Sequence, residues 1–213
     1  MSREELPVIA PADVQSSSTL RSGPIVGVVL AAGGSTRYGE RNKLLVEVEG
    51  TPIVRRSVEA FLAASLPVIV VTGSGQEDVE ASLSSLGVTV RENPDWESGQ
   101  STSVREGLSA AIDQGADAVV FGLGDMPWVD PATIELLVET YRRSEAPCIA
   151  AAHEGVRGNP VLFAAETFDA LRDLTGDTGG REILLGRPDA VAIETGDPGV
   201  RRDVDRPDDL SPD

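Results

Sequence analysis

Runs of consecutive apolar residues alternate along the chain with stretches whose apolar positions recur every three or four residues. "PIVGVVLA" (24–31) predicts a strand, and "TPIVRRSVEAFLAAS" (51–65) a helix capped by Thr51 with Pro52 in its first position. "PVIVVTG" (67–73) predicts a second strand, "EDVEASLSSLG" (77–87) a second helix closed by glycine, and "VTV" (88–90) a short third strand. "STSVREGLSAAIDQG" (101–115) reads as a helix opened by hydroxyl residues. "DAVVFGLGD" (117–125) is then a fourth strand, and "DPATIELLVETYRRS" (130–144) a helix with Asp130 as its cap. The strands are continuously apolar rather than alternating, so both faces of the sheet are covered. The expected class is α/β: a three-layer α/β/α, mostly parallel, doubly wound sheet.

The rhythm changes beyond residue 146. "CIAAA" and "NPVLFA" look like strands with no full helix between them, so one of the two runs antiparallel. Helical pieces at 165–174 and 178–187 and a strand "AVAIET" (190–195) follow, and "RDVDRPDDL" comes near the end. The first 23 residues, rich in Ser, Pro and acid, have no apolar run and read as a disordered extension to a single domain over 24–213.

Composition bounds the chemistry. Of 213 residues, 40% are apolar but only 4% aromatic, so the core is aliphatic. A net charge of −17 leaves no basic face for nucleic acid. Such acidity suits a salt-loaded cytoplasm of the halophile type, because the Debye length shrinks to roughly 3 Å at 1 M salt. An ordinary acidic cytosolic enzyme is the alternative. One cysteine, Cys148, and one histidine, His153, build neither a disulfide framework nor a zinc site, and both fall on a predicted strand, where packing explains them. With no stretch of 18 apolar residues, no membrane span is expected and the localisation read is cytoplasmic.

Charge also singles out one loop. The 18 basic residues comprise 17 arginines and Lys43 alone, which closes the glycine-rich stretch "AAGGSTRYGERNK" (31–43). "GSTRYG" (34–39) is followed by Glu40 and Arg41 where a P-loop needs Lys and Ser or Thr, and it lacks the G-x-G-x-x-G of a Rossmann dinucleotide site. What remains is a loop whose backbone N–H groups can approach oxyanions, with Arg37 and Lys43 reaching in from its far side. "TGSG" (72–75) and "GDMP" (124–127) end two further strands, and ligands of doubly wound sheets bind at that end. Asp125 opposite a phosphate loop suits a magnesium ion bridging to phosphate oxygens. Asp203 and Asp205, two apart in an extended segment and so on one face, offer a second acid.

Together these stretches resemble a known family. "LAAGGSTRYGERNK" is similar to the signature of nucleotidyltransferases with the nucleotide-diphospho-sugar transferase fold. "NPDWESGQSTSVREGL", "GDMPWV", "GNPVLF", "GDTGGRE" and "DVDRPDDL" resemble, in order, segments of the molybdenum cofactor cytidylyltransferases and their relatives. The resemblance spans roughly residues 25 to 210. It implies that Leu30, Ala31, Ala32, Gly33, Gly34 and Ser35 hold base and ribose, with Thr72, Gly73, Ser101 and Ser103 near the base. Arg37 and Lys43 would serve the triphosphate as catalytic cations, and Asp125 and Asp205 the Mg2+. Trp96, Trp128, Asp177 and Arg181 would form the acceptor pocket, the tryptophans as walls for a flat pterin ring. Where the family usually has Thr before the final proline this chain has Arg206, a departure that bears on Asp205. Ala32 and Asn42–Lys43 stand where related guanylyltransferases more often read L-A-G-G and D-K, which favours cytidine.

The activity so implied is transfer of CMP from CTP to a phosphorylated small-molecule acceptor, molybdopterin foremost, with release of pyrophosphate and a molybdoenzyme as possible onward partner. GMP transfer to the same acceptor, NMP transfer to a sugar or alcohol phosphate, and a non-catalytic nucleotide-binding protein are the alternatives. No side chain need be a covalent nucleophile, since the acceptor's phosphate attacks the α-phosphorus and the protein positions and neutralises.

Overall fold

The first described strand lies on the edge of the sheet. In the computed structural model, which describes residues 6–15, 17–34 and 42–210, β1 (Val8–Ile9) is followed by β2 (Ile25–Ala31), β3 (Glu47–Val48), β4 (Thr51–Pro52) and α1 (Ile53–Ala63). β5 (Val68–Thr72), α2 (Gln76–Leu83), β6 (Thr89–Glu92), α3 (Gln100–Asp113), β7 (Ala118–Leu123) and α4 (Pro131–Arg143) continue the alternation. β8 (Cys148–His153), β9 (Val156–Ala164), α5 (Phe168–Arg172), α6 (Arg181–Gly186) and β10 (Val191–Glu194) complete it. Eight strands form one sheet in the order β1-β10-β8-β9-β7-β2-β5-β6, and β9 alone runs antiparallel to its neighbours β7 and β8.

Period-two alternation along doubly buried strands supplies both cores. Val29, Val70 and Val120 face α1, α2 and α4 through Val58, Phe61, Leu83 and Leu137. Val28, Val71 and Val119 face the other way, with Val104 and Leu108 of α3, Leu171 of α5 and Leu184 of α6. Helices on both faces of a mostly parallel sheet make the three-layer α/β/α architecture that the continuous apolar runs predict. Of two helix caps expected, one differs and one is found. Thr51 is not a helix cap: Thr51 and Pro52 pair with Val48 and Glu47 in a small antiparallel ladder, so α1 starts at Ile53. Asp130 does cap α4, its carboxylate accepting from the Ala132 N–H at 2.9 Å.

The N-terminal stretch also departs from the extension expected of it. Leu6 is buried, Val8 and Ile9 pair in parallel with Ala192 and Ile193, and the Arg21 guanidinium lies 4.7 Å over the Tyr141 ring. Arg21 also hands its backbone N–H to the Arg142 carbonyl at 3.0 Å. An edge strand of two residues carries too little periodicity to be read from the chain, because its partner exists only in the fold. Deleting residues 1–22 removes one buried leucine, one strand pairing and one cation–π contact, about 2–4 kcal/mol together. The truncated protein is therefore expected to melt roughly 5–10 °C below the full chain. A difference of under two degrees would show that these contacts add nothing.

Cys148 is wholly buried in β8. Burial pushes its thiol pKa up to about 12, with Arg187 opposing and Asp189 and Glu166 adding to the rise. An elevated thiol pKa favours folding below the unfolded value of 9.0, and that contribution is lost as pH climbs from there towards 12. The native protein is expected to be inert to an aromatic disulfide reagent at pH 8 and to react with one equivalent once denatured. Rapid labelling of the native chain would contradict the burial.

Candidate active site

A backbone hydrogen bond, a serine hydroxyl and a capped turn bring two charged side chains to the C-terminal ends of β2 and β7, where a third joins them. The Gly124 N–H donates to the Leu30 carbonyl at 2.9 Å, and the Ser57 hydroxyl to the Gly124 carbonyl at 3.1 Å, which fixes Asp125 just beyond β7. Across the cleft, the Asn42 side chain accepts from the Leu44 N–H at 3.1 Å and caps a 3-10 turn over Lys43–Leu45. Leu44 plugs the core from that turn. Lys43 reaches into the cleft, its Nζ 2.7 Å from Asp125 Oδ2 and 2.9 Å from Asp205 Oδ1.

Asp205 arrives from the far end of the chain, and small residues clear its route. A Cβ on Gly158 would stand 1.9 Å from the Val200 carbonyl oxygen, and one on Gly199 2.0 Å from that of Trp128, so only glycine lets residues 198–204 lie between β9 and the turn after β7. Val200 and Val204 are fully buried there, and the Val204 N–H donates to the Asp125 carbonyl at 2.9 Å. Asp209 then accepts from the N–H groups of Asp205 and Arg206 at 2.8 and 2.6 Å, setting the loop that carries Asp205.

Asp125, Asp203 and Asp205 thus each present an oxygen within 4.8 Å of the others. Asp125 Oδ1 is buried and has no hydrogen-bond partner among the described residues. Burial pulls the Lys43 ammonium's pKa down, but the charges and hydrogen bonds of Asp125 and Asp205 outweigh it and leave it above its ordinary value. Asp203 is held above the usual carboxylate range, first by loss of solvation and then by the charge of Asp125. Three hard oxygen donors, one of them unpartnered, fit a divalent cation of the magnesium or manganese kind, and no sulfur or imidazole joins them.

The cleft above this cluster has a volume of about 820 Å³. Leu30, Ala32, Gly33, Gly34, Ser103 and Trp96 line it, with Lys43, Asp125 and Asp205. Other positions named from the sequence lie elsewhere. Ala31 turns into the core, and Thr72 is fully buried, its hydroxyl 3.4 Å from the Arg91 carbonyl. Gly73 packs under Ala32 and Trp96, and Ser101 is buried with its hydroxyl unpartnered among the described residues. Ser35 and Arg37 lie outside the described residues. Trp128 lines neither this cleft nor its neighbour; the Arg202 guanidinium stacks on its ring at 4.2 Å, and it serves as a wall for the C-terminal segment. Asp177 borders the cleft, but its carboxylate accepts from the Gln100 N–H at 3.3 Å in the first turn of α3. Arg181 lines an adjoining cavity.

Sequence reasoning missed the residues that hold the cleft's wall. Buried Asn93 donates to Thr102 Oγ1 at 2.8 Å and to Ser103 Oγ at 2.9 Å, and accepts from the Asp95 N–H at 3.0 Å, so it pins the loop carrying Trp96 to α3. An Asn-Pro at a strand end is a turn signal, but its partners are hydroxyls nine and ten residues on.

Comparison with known proteins assigns the family. The MobA-like NTP transferase domain family matches residues 27–191. The purine catabolism protein PucB of Bacillus subtilis is 31% identical over 202 residues, covering 89% of this chain and 95% of that protein. A probable molybdenum cofactor guanylyltransferase of Natronomonas pharaonis is 32% identical, with 88% and 96% covered. The molybdenum cofactor cytidylyltransferase of Escherichia coli is 28% identical, with 86% and 92% covered. Among solved structures, Rv0371c of Mycobacterium tuberculosis superposes with a TM-score of 0.76 at 28% identity, covering 91% of this chain and 96% of its own. A manganese complex of Rv0371c gives 0.74 at 27% identity, with 87% and 95% covered. The chain is a nucleotidyltransferase that belongs to the family of MobA-like NTP transferase domains.

Proposed function

We propose that the protein transfers CMP from CTP to a phosphorylated acceptor, molybdopterin or its molybdenum-loaded form, and releases pyrophosphate. The observation that carries this reading is the Lys43–Asp125–Asp205 cluster facing the glycine loop across one cleft. Glu97, Asp125, Asp177 and Asp205 line that cleft, and Lys43 is the cation among its described lining residues. A triphosphate entering such a wall needs further positive charge, which Mg2+ held by Asp125 and Asp205, with Asp203 beside them, would supply when bound.

The residues of this chain then have separable tasks. Leu30, Ala32, Gly33 and Gly34 border the nucleotide and, with Trp96 and Ser103, shape its seat. Lys43 steadies phosphate oxygens, and Asn93 and Asp177 keep the opposite wall in place. An oxygen of the acceptor's phosphate attacks the α-phosphorus, the bond to the β-phosphate oxygen breaks, and pyrophosphate departs. GTP is the second reading, favoured by the higher identity to the guanylyltransferase relative. The test measures melting temperature with CTP and GTP, each with magnesium or manganese, and pyrophosphate release from each with molybdopterin added as acceptor. CTP is expected to raise the melting temperature more at equal concentration, since a ligand stabilises by RT ln(1 + [L]/Kd). A larger GTP shift would reverse the base preference, and no response to any nucleotide would end the enzymatic reading.

A further inference from the structure

Beside the nucleotide cleft lies a second cavity of about 380 Å³, which shares Leu30, Gln100, Leu123 and Asp177 with it. Its floor is apolar, with Phe121, Phe163 and Leu184 in its lining. Its rim carries two guanidinium groups, Arg157 from β9 and Arg181 from the start of α6. The sheet register explains Arg157: Val161 pairs with Phe121 in antiparallel sense, so Asn159 and then Arg157 continue along β9 towards the end of β7 where Asp125 lies. Arg181 is placed by close packing, because a Cβ on Gly180 would stand 2.4 Å from Cζ of Phe163, and the chain lies flat against that ring.

We infer that this side pocket receives the acceptor, with Arg157 and Arg181 gripping its phosphate and the apolar floor seating its uncharged body. The inference rests on the nucleotidyl-transfer reading above. Neither arginine forms an ion pair with a carboxylate of the described residues, although Asp177 and Glu182 line the same cavity. The Arg157 guanidinium is held below its ordinary pKa by burial and then by the repelling charge of Arg181, which lines the same cavity. A phosphomonoester relieves that repulsion, and the planar fork of arginine fits its oxygens in pairs. The shared border at Leu30 and Leu123 sets this pocket directly beside the cleft read as the nucleotide's.

The test titrates the full chain with neopterin monophosphate, a fluorescent pterin phosphomonoester, and with unphosphorylated neopterin. Saturable binding of the phosphorylated form is expected, at least tenfold tighter than neopterin. Arg157→Gln and Arg181→Gln should each weaken it about tenfold, leaving neopterin binding, the melting temperature and the magnesium–CTP shift as in the wild type. No saturable binding by the wild type, equal affinity for both pterins, or wild-type affinity in both variants overturns the pocket assignment. Arginine-dependent binding in a protein that shows no shift with CTP or GTP keeps the pocket and removes the nucleotidyl-transfer reading. A normal nucleotide shift with arginine-insensitive binding does the reverse.

Discussion

Asp125→Asn is expected to stay folded and to lose pyrophosphate release by a factor on the order of 10³ or more, assayed with CTP, molybdopterin and magnesium. The amide keeps the shape of the carboxylate, so the turn after β7 and the Val204 N–H bond to the Asp125 carbonyl survive. What disappears is the charge that pairs with Lys43 at 2.7 Å and the unpartnered Oδ1 available to a cation. A carboxamide offers one neutral oxygen in place of two anionic ones, and a hard divalent ion is held mainly by charge. Turnover within a fewfold of wild type in magnesium would remove Asp125 from the site. Asp205→Asn should be harmful but milder, since its side chain is 40% exposed against 20% for Asp125, and Asp203 stands beside it. Unchanged activity in that variant would leave Asp205 as no more than the partner of Lys43.

Lys43→Arg should keep the fold and lose activity by about 10²–10³, with Lys43→Ala losing more. A lysine ammonium is a compact point charge, whereas a guanidinium is a wide planar fork. Lys43 sits with its side chain 14% exposed between two carboxylates on a turn fixed by Asn42 and Leu44, so there is little room for the fork to find the same oxygens. The alanine variant carries a second signature. It removes the cation that offsets Asp125, Asp203 and Asp205, so its metal-free form should melt lower than wild type and gain more from added magnesium. Pyrophosphate release at saturating CTP with molybdopterin as acceptor, and thermal melts with and without magnesium, measure both effects. Full activity of Lys43→Arg would mean that the chain's lone lysine has no special task.

Much of the fold was legible in order, because doubly buried strands and amphipathic helices announce themselves locally. The strand pair at 148–164 was legible too: two apolar runs without an intervening helix leave room only for a hairpin, and β9 is the antiparallel strand. Thr51 misled because a hydroxyl before proline is also a good strand end, and the ladder with Glu47–Val48 decided between the two uses. The N-terminal strand misled because two residues have no period.

For the site, the sequence by itself determined the chemistry on offer: a glycine loop, one lysine, and acids after β7 and near the chain's end, in the order of a nucleotidyltransferase. Those are properties of residue type and spacing, and they survive without coordinates. Only the tertiary structure decided which of these side chains meet. Lys43 and Asp205 lie 162 positions apart and touch because Gly158 and Gly199 let the last segment lie against the body of the fold. Trp128 stands in a motif beside Asp125 yet stacks under Arg202, while Arg157, which no motif marked, stands at a pocket rim. Local pattern follows from the energetics of neighbouring residues, but the cleft is made where distant backbones close on one another, and that closure depends on volumes and unpaired hydrogen-bonding groups that no short stretch of sequence contains.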